Sequence, residues 1–231
     1  KMPIKINGMS TNNDDAPIYR DWLGMDVVAP NDISNALEDI PAGEDVGVNI
    51  NSFGGEVEPA AQIYTMLRNL SNNVVVNIES SAYSAATIIA MAGDTVRISP
   101  SAQMMIHKAS SGAVGNAEDL QKGLDMLNAT DRTIANVYAT KTGKPPEDFL
   151  NLMAKETWLS PNDAVDLGLA DEIMEFNAEP ITNSAKPMIA YNNVQKIKGL
   201  VEENKKLKKQ NSQFASEDLK QRKLAIFYGK D

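Results

Sequence analysis

Apolar and polar positions along the chain keep two different periods, and the changes of period divide it into elements. Val46, Val48 and Ile50 recur at every second position, the spacing of a strand with a buried face. Val74-Val75-Val76-Asn77-Ile78 is apolar almost throughout, as in a strand covered on both sides. Between these two, Ala60, Ile63, Met66, Leu67 and Leu70 fall at helical spacing and predict an amphipathic helix over 57–70. Small and apolar residues predict a further helix over 84–93, and 95–98 and 104–106 predict two more strands around a Ser99-Pro100 turn. This β-α-β-α-β rhythm implies parallel strands joined by right-handed crossovers, an α/β fold class.

Upstream, Ile4-Lys5-Ile6 predicts an edge strand, 18–28 fits helix or strand equally, and Asn31-Asp32 caps a short helix at 33–37. Pro41-Ala42-Gly43 ends that helix, and Gly54-Gly55 reads as a tight turn after the strand at 46–50. Downstream, Gly112–Gly115 is a polar link. Leu120, Leu124, Leu127, Ile134, Val137 and Tyr138 predict one extended helix over 117–142. Pro145-Pro146 opens another helix, and Trp158 to Ile173 closes the body at about 176. Residues 177–193, with Pro180 and Pro187, form a linker. In the tail, 194–231, the residues Ile197, Leu200, Asn204, Leu207, Asn211 and Phe214 alternate in steps of three and four. That is a coiled-coil seam with asparagine at two a positions, the polar device that fixes register and oligomer state.

The net charge of −9 is unevenly spread. Residues 1–190 hold 12 of the 22 Lys and Arg and 26 of the 31 Asp and Glu, a balance of −14, so the remaining residues carry +5. The acidic body argues against nucleic acid as a partner. No run approaches the about eighteen apolar residues of a membrane span, so no membrane association is expected. With no cysteine and no charged-then-apolar leader pattern at the start, the expected compartment is the cytoplasm. No metal-ligand cluster and no glycine-rich phosphate loop is present, so no cofactor is expected.

The candidate chemistry centres on Ser84, where an apolar strand gives way through small residues to a helix start. There the hydroxyl lies at the positive end of the helix and Ala82, Ala85 and Ala86 leave room for a peptide. Taken alone, Ser80, Ser81 or Ser84 reads as a helix cap. His107 is the only histidine, so any serine–histidine mechanism must use it.

Four ordered landmarks then carry a resemblance. They are Asn51-Ser52-Phe53-Gly54-Gly55, a serine 29 positions after Gly55, a Met-Ile-His segment 23 positions after that serine, and the closing run from Trp158 to Ile173. Over roughly residues 45–174 the chain resembles the ClpP family of Clp protease proteolytic subunits, and most of all its phage and prophage head-maturation branch. The resemblance implies the ClpP/crotonase-like βαβ spiral with the 117–142 helix as its handle, a self-compartmentalising serine endopeptidase, and a homo-oligomeric ring of about seven subunits. It implies Ser84 as nucleophile, His107 as base, and the N–H groups of Gly55 and Ala85 as oxyanion donors. The triad acid falls at Glu156, where the family usually has aspartate; Asp148 and Asp163 are the rival positions. Protein or peptide substrates are implied, with capsid and scaffold proteins among them. No axial hairpin is evident in the short N-terminal region, which leaves docking of an unfoldase ATPase open. Two other classes also stay open: a crotonase-like acyl-thioester enzyme and a catalytically silent ClpP-like assembly module.

Overall fold

A computed structural model describes residues 3–176 apart from 39 and 42, together with 202, 205 and 206. The sheet is assembled from β1 (Ile4–Ser10), β2 (Val27–Val28), β3 (Val46–Gly55), β4 (Val74–Tyr83), β5 (Thr95–Ile98) and β8 (Glu172–Ile173). These lie in the order β2-β1-β3-β4-β5-β8, and every neighbouring pair is parallel. Such a sheet needs helical crossovers, supplied by α1 (Pro30–Glu38), α2 (Val57–Arg68) and α3 (Ala85–Ala90). The mixed α/β class read from the pattern is therefore the observed one.

The core lies against the two central strands. Val46, Val48 and Ile50 of β3 and Val74, Val76 and Ile78 of β4 each expose 1% or less of their surface. Ala60, Ile63 and Leu67 of α2 cover them together with the six buried residues of α3. Alanine at 85, 86 and 90 lets α3 pack closely beneath the strand ends.

β4 carries two sets of partners on one side. Its first half, Val75–Ile78, pairs with β5; its last three residues, Ser81–Tyr83, pair with β6 (Gln103–Ile106). β6 pairs antiparallel with β7 (Thr157–Leu159), so β6 and β7 form a two-stranded arm on the upper end of β4. Helix α4 (Ala117–Thr142), with the bounds its periodicity predicts, is opened by an Asn116–Asp119 capping box. Gly143 in the left-handed conformation closes it. Its buried residues are Asp131, Ile134, Ala135 and Tyr138, all in the second half, whereas Leu120, Leu124 and Met126 are about half exposed. The remaining helices are α5 (Pro146–Met153) and α6 (Pro161–Leu167).

Three local expectations change. β1 is not an edge strand; it lies between β2 and β3, because β2 adds a two-residue rung outside it. The ambiguous segment 18–28 is a single π-helical turn, Ile18–Trp22, followed by β2. The Gly54-Gly55 pair is the end of β3 and not a turn, since Gly54 and Gly55 continue the parallel ladder opposite Met9 and Ser10. The linker and the coiled-coil seam lie outside the described residues; of the tail, Glu202, Lys205 and Lys206 are described, each helical and exposed. Among the described residues no helix is long and apolar enough to cross a membrane.

Candidate active site

Ser84 stands between the last residue of β4 and the first of α3 with φ 54° and ψ −126°. A positive φ is costly for any residue with a Cβ, so this backbone persists only where its surroundings enforce it. The enforcement is visible. The Ser84 N–H donates to Met105 O at 2.8 Å, and Ser84 O accepts both the Thr87 N–H (3.0 Å) and the Thr87 hydroxyl (2.5 Å). Thr87 has one hydroxyl proton and gives it to Ser84 O, so the Tyr138 hydroxyl, 2.6 Å away, must be the donor to Thr87 Oγ1. Burial pushes the Tyr138 phenol far above its ordinary value, which keeps that proton in place. The residues two before and two after Ser84, Ala82 and Ala86, are fully buried. Larger side chains there would collide in so sharp a strand-to-helix turn.

The Ser84 side chain is not a helix cap: it makes no capping hydrogen bond. Its Oγ instead lies 2.7 Å from His107 Nε2. His107 is the first residue beyond β6 and Ser84 the first beyond β4, and the pairing of these strands, with Tyr83 opposite Met105, brings the two residues out at adjacent strand ends. This is the contact a general base needs to remove a hydroxyl proton.

Glycine at 54 is required by the approach of β3. A Cβ built there would lie 2.7 Å from Ser84 Cβ and 2.7 Å from Tyr83 O. At Gly55, φ is +143° and a Cβ would come 2.2 Å from Ser10 O. The strand therefore ends against Ser84 with bare backbone. Ala85 is the first residue of α3, so its N–H has no partner within the helix.

Glu156 reaches the site through register. Ile106 pairs with Thr157 and Met105 with Trp158, so one further antiparallel step sets Glu156 across from His107. The turn leaving α5 holds Glu156 at φ 50°, and its carboxylate accepts the Trp158 indole N–H at 3.3 Å. Among the described residues its carboxylate makes no hydrogen bond to His107. The rivals lie elsewhere. Asp148 is exposed in the first turn of α5, and Asp163 is exposed in the capping box of α6. The Ser160 hydroxyl and N–H hold the Asp163 carboxyl below its ordinary value.

Val57, Ile88 and Ile134, together with Lys108, line a small recess of mixed polarity next to Ser84 and His107. Among the described residues no group of His, Cys, Asp and Glu could hold a metal ion. Sequence reasoning assigned no role to Gly54, Thr87 or the Tyr138 hydroxyl.

A model of the Clp protease family matches residues 33–177, which takes in most of α1 and every element from β3 to β8. The chain belongs to the Clp protease family. A Deinococcus radiodurans ATP-dependent Clp protease proteolytic subunit is 30% identical over 139 residues, 59% of this chain and 68% of that protein. The Streptomyces coelicolor ATP-dependent Clp protease proteolytic subunit 3 is 28% identical over 137 residues, 58% of this chain and 63% of the relative. A Porphyromonas gingivalis proteolytic subunit is 25% identical over 143 residues, 61% and 64% of the two chains. The matched segment thus spans under two thirds of the length of the second and third.

Proposed function

We propose that the chain is a serine-type endopeptidase, and the observation that carries the reading is the 2.7 Å approach of His107 Nε2 to Ser84 Oγ across two strand ends. Ser84 Oγ attacks the scissile carbonyl while His107 takes its proton. The N–H groups of Gly55 and Ala85 receive the negative charge that develops on the carbonyl oxygen. His107 then gives the proton to the departing amine, and water releases the acyl group from Ser84 by the same steps in reverse order. Glu156 is the acid of the triad. The register of β6 and β7, which sets Glu156 across from His107, supports this assignment. The alternative is a catalytically silent assembly module of the same fold, and activity itself decides between the two.

The exposed Leu120, Leu124 and Met126 in the first half of α4 support self-association, and the likeness to Clp proteolytic subunits suggests a ring of about seven copies. The substrates are proteins or peptides, and maturation of a phage capsid is the setting we propose. The test is intact-mass spectrometry after reaction with a fluorophosphonate. One adduct per chain is expected, abolished in Ser84→Ala and in His107→Ala, together with a loss of turnover of roughly three or more orders of magnitude. Unchanged labelling or hydrolysis by Ser84→Ala would overturn the reading.

A further inference from the structure

Asp131 is the one charged side chain on the buried face of α4, which it shares with Ile134, Ala135 and Tyr138. It exposes only 5% of its surface. A carboxylate is costly to bury unless it is paired, so its partners indicate what keeps it there. Oδ1 accepts the Ala109 N–H at 2.8 Å, and Oδ2 lies 3.7 Å from Lys108 Nζ on a half-exposed side chain. Both partners belong to the two residues that directly follow His107.

His107 itself needs such an anchor. β6 ends at Ile106, and from His107 to Asn116 the chain has no regular structure. On the upstream side the imidazole is held by the β6 ladder and by the Ser84 N–H to Met105 O bond. On the downstream side, the hydrogen bond that ties the backbone to the body is Ala109 N–H to Asp131. One buried face of α4 therefore holds both halves of the pair: Tyr138 supports the Ser84 turn through Thr87, and Asp131, seven residues earlier, supports the segment leaving His107.

We propose that Asp131 is a positioning residue: by accepting the Ala109 N–H it fixes the backbone after His107 and so holds the imidazole on Ser84. The inference rests on the peptidase reading, yet it concerns the placement of one side chain and can be read without turnover. His107 supplies the only imidazole signal of the protein, which makes that signal a direct report on its placement.

The experiment compares full-length wild type, Asp131→Ala, Asp131→Asn and Asp131→Glu, each below its melting temperature. It follows the rate of fluorophosphonate labelling and the imidazole Cε1–H signal by NMR. Asn keeps the acceptor oxygen and removes the charge, whereas Glu keeps the charge and moves the acceptor by one methylene. We expect Asn to label within threefold of wild type with a single sharp signal. Ala and Glu should label at least tenfold more slowly, with a broadened or split signal. If Ala does not fold, Asn against Glu decides alone. Wild-type labelling and an unchanged signal in Ala, or a Glu variant faster than Asn, overturns the proposal. If the wild type does not label at all while the imidazole signal still broadens in Glu and stays sharp in Asn, the peptidase reading fails and the positioning role stands.

Discussion

The strained backbone at Ser84 is held by hydroxyl groups that no motif contains. Tyr138 donates to Thr87, and Thr87 donates to Ser84 O, so the chain of protons runs from the interior of α4 to the Ser84 carbonyl. Tyr138→Phe keeps the ring against Phe149, whose centroid is 5.5 Å away, and deletes only the donor. The expected loss is about 1–2 kcal/mol in urea unfolding, because a buried acceptor is left short of one bond. Ser84 labelling should slow as well. Ser84 and His107 were legible because one is set at a strand-to-helix junction and the other is unique. Thr87 and Tyr138 were not. Tyr138 fits the apolar period of its helix so well that periodicity reads only its ring, and its hydroxyl partner lies 51 residues away. Asp131 did leave a trace: it interrupts the spacing of Leu127, Ile134 and Tyr138 with a charge.

Among the elements, α4 was read with the right bounds because its period is long enough to survive the one charge at Asp131. The two-residue strands β2 and β8 have no period to detect; their pairing is imposed by neighbours already in place. The Gly54-Gly55 pair was misread for a physical reason: glycine signals a turn in isolation, whereas here it admits Ser84 to the end of a strand. Between elements, Asp94 caps the join of β4 and β5. The Val74 N–H (2.8 Å), and after it the Arg68 guanidinium (2.8 Å), hold its carboxyl below the ordinary 3.8. A depressed carboxyl contributes stability above its unfolded value and loses it as the pH falls through the folded one. Asp94→Asn should therefore be less stable than wild type at pH 7, by under about 1 kcal/mol given the solvent screening of a 41% exposed side chain. The gap should close below the ordinary carboxyl range, as urea midpoints at the two pH values will show.

At the scale of the whole molecule, the chain divides after Phe176, and every residue of the candidate site lies before that point. Truncation after Ala190 should leave a cooperative urea transition of the body and the fluorophosphonate adduct intact. Light scattering of the full chain at micromolar concentration should report an oligomer, and a monomer would count against the ring. One feature of the sheet bears on how such a site could be governed. His107 is carried by the β6–β7 arm, which is joined to β4 by three rungs, whereas Ser84 directly follows the central strand β4. Local opening of a region held by so few rungs needs less free energy than global unfolding. Such an opening would carry His107 away and leave the buried sheet folded, so the Ser84–His107 contact could be dissolved and remade within one intact body.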